Sequence, residues 1–202
     1  MSFQNTEARI RSISDWLCIA GGWGLVGLSV WIVVNVLLRK FVNFSFQGVD
    51  EYGGYFLAIV SAAGFAKAVL DKAHVRIDVV TRLFPQPVRA VFDVVAVGLL
   101  FAMMWIIASK AILLTYESWR MGALTPSVLR TPLWIPQSLW ALALAWFAFV
   151  IGFLLLWALA RLLKADFAGI EDKLGQDDIE TEVAAEIADA RARLAASPKE
   201  AL

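Results

Sequence analysis

The residues that could do chemistry in this chain are few and lie at the edges of apolar stretches. Asp50-Glu51 opens one such stretch, and Lys67 and Asp71 close it. His74 and Asp78 follow in a charged loop. Arg39-Lys40 ends the preceding stretch, and Asp93 and Lys110 sit toward the ends of a third. His74 is the only histidine and Cys18 the only cysteine. One His with one Asp at i,i+4 makes a poor metal site and reads better as a clasp within the loop. A single Cys allows no intrachain disulfide and no thiolate metal centre. No glycine-rich phosphate loop precedes a helix, and no nucleophile stands beside a base. Ion or proton relays place ionisable groups deep within a bundle, and here they keep to the ends. The reading excludes an enzyme: it assigns no catalytic, metal or cofactor-binding residue and no cofactor to this chain.

The elements that position these residues are membrane spans. Of 202 residues, 60% are hydrophobic and 18% charged, and the mean hydropathy is +0.69. A soluble domain is about half apolar and a quarter charged. A bilayer core needs about 20 apolar residues in a helix, and four stretches meet that need. The spacing predicts spans over about 16–38, 50–70, 88–110 and 132–160, inside a membrane domain of 16–164. Helical character of the third extends toward Arg120. Pro132 and Pro136 mark the start of the fourth, because a proline in the first helical turn forfeits no hydrogen bond. Residues 1–15 form an N-terminal cytoplasmic or interfacial segment, read either as a short helix or as a frayed end. The fold class is therefore an all-α integral membrane protein with four transmembrane helices. Lys67 is placed to snorkel toward headgroups and to pair with Asp71 at i,i+4. Glu117 is spaced for Arg120 at i,i+3. Ala20, Gly24 and Gly27 in the first span, and Gly54, Ala58 and Ser61 in the second, form faces narrow enough for close helix packing.

The net charge of zero hides an asymmetry. Residues 1–164 hold 14 Lys+Arg against 8 Asp+Glu, and residues 165–202 hold 4 against 10. The tail is acidic, and a stripe of Ile179, Val183, Ile187, Ala190 and Leu194 reads either as an amphipathic helix or as part of a solvated tail. Nine basic residues flank the spans on the side of the termini and five on the other. The positive-inside rule then places both termini, the acidic tail and the His74 loop in the cytoplasm. Loops 39–50 and 110–130 face outward.

Four short motifs carry a resemblance. Leu37-Leu38-Arg39-Lys40-Phe41-Val42-Asn43 ends the first span, and Asp50-Glu51-Tyr52 opens the second. His74-Val75-Arg76-Ile77-Asp78 follows it, and Trp134-Ile135-Pro136-Gln137 begins the fourth. In this order and spacing, over about residues 15–162, the chain resembles the small membrane subunit of tripartite ATP-independent periplasmic (TRAP) transporters. The resemblance implies a bacterial inner-membrane location, and as partners a large multi-span subunit, a periplasmic substrate-binding protein and membrane lipids, with no nucleic acid. It implies sodium and organic-acid sites in the large, elevator-type subunit. This chain would extend the static scaffold and help to dock the binding protein. Arg39, Asp50, Glu51, His74 and Asp78 would then be structural or subunit contacts, and Lys40, Arg120 and Arg130 an outward docking surface. The alternative is a membrane anchor or assembly subunit of another complex.

Overall fold

The computed structural model describes residues 3–72, 84–127, 129–164, 166–174, 187–189 and 191. Five helices follow in order: α1 (Phe3–Phe41), α2 (Val49–Leu70), α3 (Gln86–Arg120), α4 (Trp134–Leu163) and α5 (Phe167–Leu174). Among the described residues there is no strand, only an isolated antiparallel bridge between Leu124 and Pro132. The first four helices are long and apolar enough to cross a membrane. At 1.5 Å per residue, the 22 residues of α2 span about 33 Å, close to one hydrocarbon core, whereas α1, α3 and α4 are longer.

The boundaries follow local chemistry. α1 is continuous from Phe3 into the uncharged run, and its residues Ile10 (4% exposed) and Ser14 (0%) are buried. α2 starts after Gly48, which holds φ 82°, a left-handed conformation that other residues adopt only with strain. Asp50 and Glu51 occupy its first turn, where carboxylates meet the positive end of the helix dipole. α3 runs on past its uncharged part to Arg120. Pro136 sits in the first turn of α4, where its missing N–H has no intrahelical partner to lose.

The residues divide into two compact units. One comprises Met1–Val75 with Val94–Leu159, the other Arg76–Asp93 with Ala160–Leu202. The first has a core of Ile10 from α1, Ala62, Ala66 and Leu70 from α2, Met104, Ala108 and Ala111 from α3, and a stripe from Ala141 to Leu154 of α4. In the most apolar window of each helix, 39% is buried for α4 and 6% for α1. The fourth span is thus the centre of this unit and the first its edge. Alanines predominate where α2 and α3 face the core, which lets helix axes approach closely without a large side chain between them.

In the second unit, Ala90 and Ile170 are wholly buried. Asp166 precedes α5 and accepts the Gly169 N–H at 3.0 Å, capping the helix start; its other oxygen takes the Arg161 guanidinium. The carboxyl of Asp166 is held below the usual carboxylate value, first by Arg161 and then by the Gly169 N–H. The stripe expected over residues 179–194 lies mostly outside the described residues.

Candidate subunit-contact sites at the two ends of the bundle

At one end of the first unit, the α3–α4 loop folds over the start of α2. Thr125 donates its backbone N–H to the Thr131 carbonyl at 3.0 Å, and its hydroxyl to the same oxygen at 3.2 Å. Leu133 N–H reaches the Ala123 carbonyl at 3.0 Å. These bonds close a small hydroxyl-lined loop, and Glu51 is turned into it. Tyr55, one turn along α2, donates its hydroxyl to Glu51 Oε1 at 2.9 Å. Ser127, Thr125 and Thr131 surround the carboxylate. The Ser127 hydroxyl bonds to Thr125 Oγ1 at 3.2 Å, and Glu51 Oε2 is enclosed without a donor of its own. Glu51 therefore stands where the α3–α4 loop meets α2, bonded to Tyr55 of its own helix and bordered by the loop hydroxyls.

The same loop carries two of the expected docking residues. Arg130 is exposed and held at φ 46°, and its N–H bonds to the Ser127 carbonyl at 3.2 Å. Arg120 is exposed at the C-terminus of α3, where a cation meets the negative end of the dipole. The expected Glu117–Arg120 pair is absent among the described residues. Arg39 and Lys40 are exposed in the last turn of α1, and Lys40 lies over the Phe41 ring at 5.5 Å. Asp50 is exposed beside Glu51 but makes no ion pair among the described residues. His74 and Asp78 lie outside the described residues.

At the other end, Lys67 has the i,i+4 partner expected of it, Asp71, at 2.7 Å, and a second that spacing cannot reveal: Asp15 of α1, at 2.5 Å. Arg11 extends the cluster to Asp71 at 3.4 Å and to Glu7 at 3.6 Å, and also donates to the Leu70 carbonyl at 2.9 Å. Charges thus alternate across α1 and α2 and satisfy the last turn of α2. Each side chain in the Arg11, Lys67, Asp15 and Asp71 set keeps 34–44% of its surface exposed, so a polar headgroup or a partner can also reach them. Next to Asp15 in the chain, the buried Ser14 hydroxyl accepts the Trp146 indole N–H at 3.3 Å, fastening α1 to α4. The sequence signal for this end was the polar run Ser14-Asp15 immediately before the first apolar stretch.

Between the two ends of the first unit, the described hydroxyls on α1 and α3 are bonded within their own helices. Ser29, Ser109 and Thr115 donate to the carbonyls four residues earlier, Leu25, Trp105 and Ala111, at 2.7–2.8 Å. A hydroxyl satisfied by its own helix costs little in hydrocarbon and offers nothing to a passing ion. In the first unit the buried polar side chains, among the described residues, are Ser14 and Ser118. No group of three or more His, Cys, Asp or Glu stands together for a metal among the described residues.

Four apolar spans with polar clusters confined to their ends define an integral membrane protein built to pack. The family of tripartite ATP-independent periplasmic transporters, DctQ component, matches residues 28–167, and the chain belongs to that family. It is thus the small permease component of a transporter, and its family is not a catalytic one. The match takes in α2, α3 and α4 whole, and with them Glu51 and its loop. No curated protein matched the sequence.

Proposed function

We propose that this chain is the non-catalytic scaffold subunit of a sodium-coupled secondary transporter for organic acids. It sits in the bacterial inner membrane with both termini and the acidic tail in the cytoplasm. Its partners are a large elevator-type membrane subunit, which holds the sodium and substrate sites, and a periplasmic substrate-binding protein. The observation that carries the reading, beside the family, is the burial pattern of the membrane unit: serines and apolar side chains, with its ionisable groups at the ends. Such a bundle gives a moving partner a fixed apolar wall. The α3–α4 loop, closed by its own Thr125–Thr131 bonds and carrying Arg130 beside Arg120, offers the binding protein a basic surface at the outer end.

The test is uptake by the reconstituted three-component system. Omitting this chain should abolish uptake. Glu51→Gln and Lys67→Met should change the amount of assembled complex but leave the number of sodium ions per substrate unaltered. A changed coupling ratio in either variant would place an ion site in this chain and defeat the scaffold reading.

A further inference from the structure

The segment joining α1 to α2 doubles back along α1 instead of standing out in water. Asn35 Oδ1 accepts the Phe46 backbone N–H at 2.8 Å and the Ser45 hydroxyl at 3.4 Å. Asn35 lies six residues before Phe41, the last residue of α1, which is about 9 Å back along the axis at 1.5 Å per residue. It also lies inside the uncharged run 16–38. The chain reverses at Asn43, in the left-handed region at φ 54°, and the Phe44 N–H returns to the Leu38 carbonyl at 3.4 Å. Phe44 and Phe46 are thereby carried to the depth of the last two turns of a membrane span.

Four of the six side chains on this reversal are apolar and uncovered. Phe41 is 73% exposed, Val42 63%, Phe44 52% and Phe46 43%, and Phe44 meets Phe46 edge to face at 5.2 Å. Arg39 and Lys40 stand beside them and make no ion pair among the described residues. Water is a poor neighbour for four large apolar groups, and a headgroup boundary suits both halves of the set: rings in the acyl region, cations at the phosphates.

We infer that residues 41–46 form a lipid anchor, with Phe41, Val42, Phe44 and Phe46 embedded at the acyl boundary of the adjacent leaflet and Arg39 and Lys40 on the phosphates of anionic phospholipid. The inference needs only that α1 and α2 span the bilayer, not the docking reading above. It removes Lys40 from the docking surface and leaves that surface to Arg120 and Arg130.

The experiment uses the full chain carrying Cys18→Ser and, one at a time, Phe44→Cys, Val42→Cys or Asp50→Cys, each labelled with a polarity-sensitive fluorophore. The proteins are reconstituted into phosphatidylcholine vesicles with or without phosphatidylglycerol, and helical content is checked by circular dichroism. Labels at positions 44 and 42 should be quenched by lipid bearing a nitroxide near the headgroup. Iodide should quench them several-fold less than the label at Asp50. Phosphatidylglycerol should strengthen the lipid quenching, and Arg39→Gln with Lys40→Gln should erase that gain. Equal iodide quenching at positions 42, 44 and 50 overturns the anchor. So does loss of lipid quenching when the companion membrane subunit is added, since protein would then cover the loop. Indifference to phosphatidylglycerol overturns the assignment of the two cations.

Discussion

A methyl group added at Gly24 should destabilise the chain, and the same methyl at Gly27 or Gly54 should not. In the seam between α1 and α2, the Phe56 ring tip occupies the place a Cβ on Gly24 would take, and Val60 Cγ1 would lie 2.9 Å from one on Gly21. Nothing stands within 4 Å of a Cβ built at Gly27 or Gly54. Alanine is favoured over glycine by about 1 kcal/mol within a helix. Overpacking a fitted seam costs about 1–3 kcal/mol, because Phe56 must leave its rotamer or the helices must part. Gly24→Ala should therefore lie about 1–3 kcal/mol below Gly27→Ala and Gly54→Ala. Gly24→Val should lie lower still. The assay is reversible unfolding of the purified chain in mixed micelles with increasing sodium dodecyl sulfate, followed by tryptophan fluorescence. Equal midpoints for Gly24→Ala and Gly27→Ala would refute the seam. The open glycines have their own readout: if Gly54→Ala keeps the midpoint but lowers assembly with the large subunit, a partner helix packs on that face.

Two further outcomes are expected. Trp146→Phe removes the donor to the buried Ser14 hydroxyl and should lower the unfolding free energy by about 1–3 kcal/mol, with Trp105→Phe, on an exposed ring, near neutral in the same assay. The Asp166 cap should fail in acid: its folded value is depressed, so its stabilisation is complete above the unfolded value of about 3.9 and disappears as pH falls through the lower folded one. Hydrogen exchange at Gly169 and Ile170, corrected for intrinsic rates, should show protection lost below about pH 4, and Asp166→Asn should flatten that dependence. Protection unchanged with pH would show that the cap does not hold α5.

Much of the architecture was legible because a bilayer imposes a long, uncharged, helical period that short-range patterns reveal directly. The helices Val49–Leu70 and Gln86–Arg120 cover the second and third apolar stretches. The motif resemblance likewise agrees with the family. The partners of the end residues were less legible. Lys67 with Asp71 follows from spacing, but Asp15 is 52 positions away and meets Lys67 only because α1 continues below the bilayer run and packs there. Glu51 was legible only as the opening of the second span, while the hydroxyls of the Thr-Pro-Ser loop beside it come from a segment whose fold over α2 no local pattern states. The small faces were legible as composition only: Gly24 meets the Phe56 ring, whereas a Cβ at Gly27 or Gly54 would meet open space among the described residues.

By itself, then, the sequence determined the class: apolar runs of bilayer length admit only helices, because hydrocarbon leaves no other partner for backbone N–H and C=O groups. It also determined where charge stops, and so that the chemistry lies at the ends of the spans. Only the tertiary structure decided which ends meet, which glycines are closed by a neighbour, and that α4 is central and α1 peripheral. Those facts depend on helix rotation and tilt, which are chosen by side-chain packing between segments far apart in the chain, and hydropathy is blind to both.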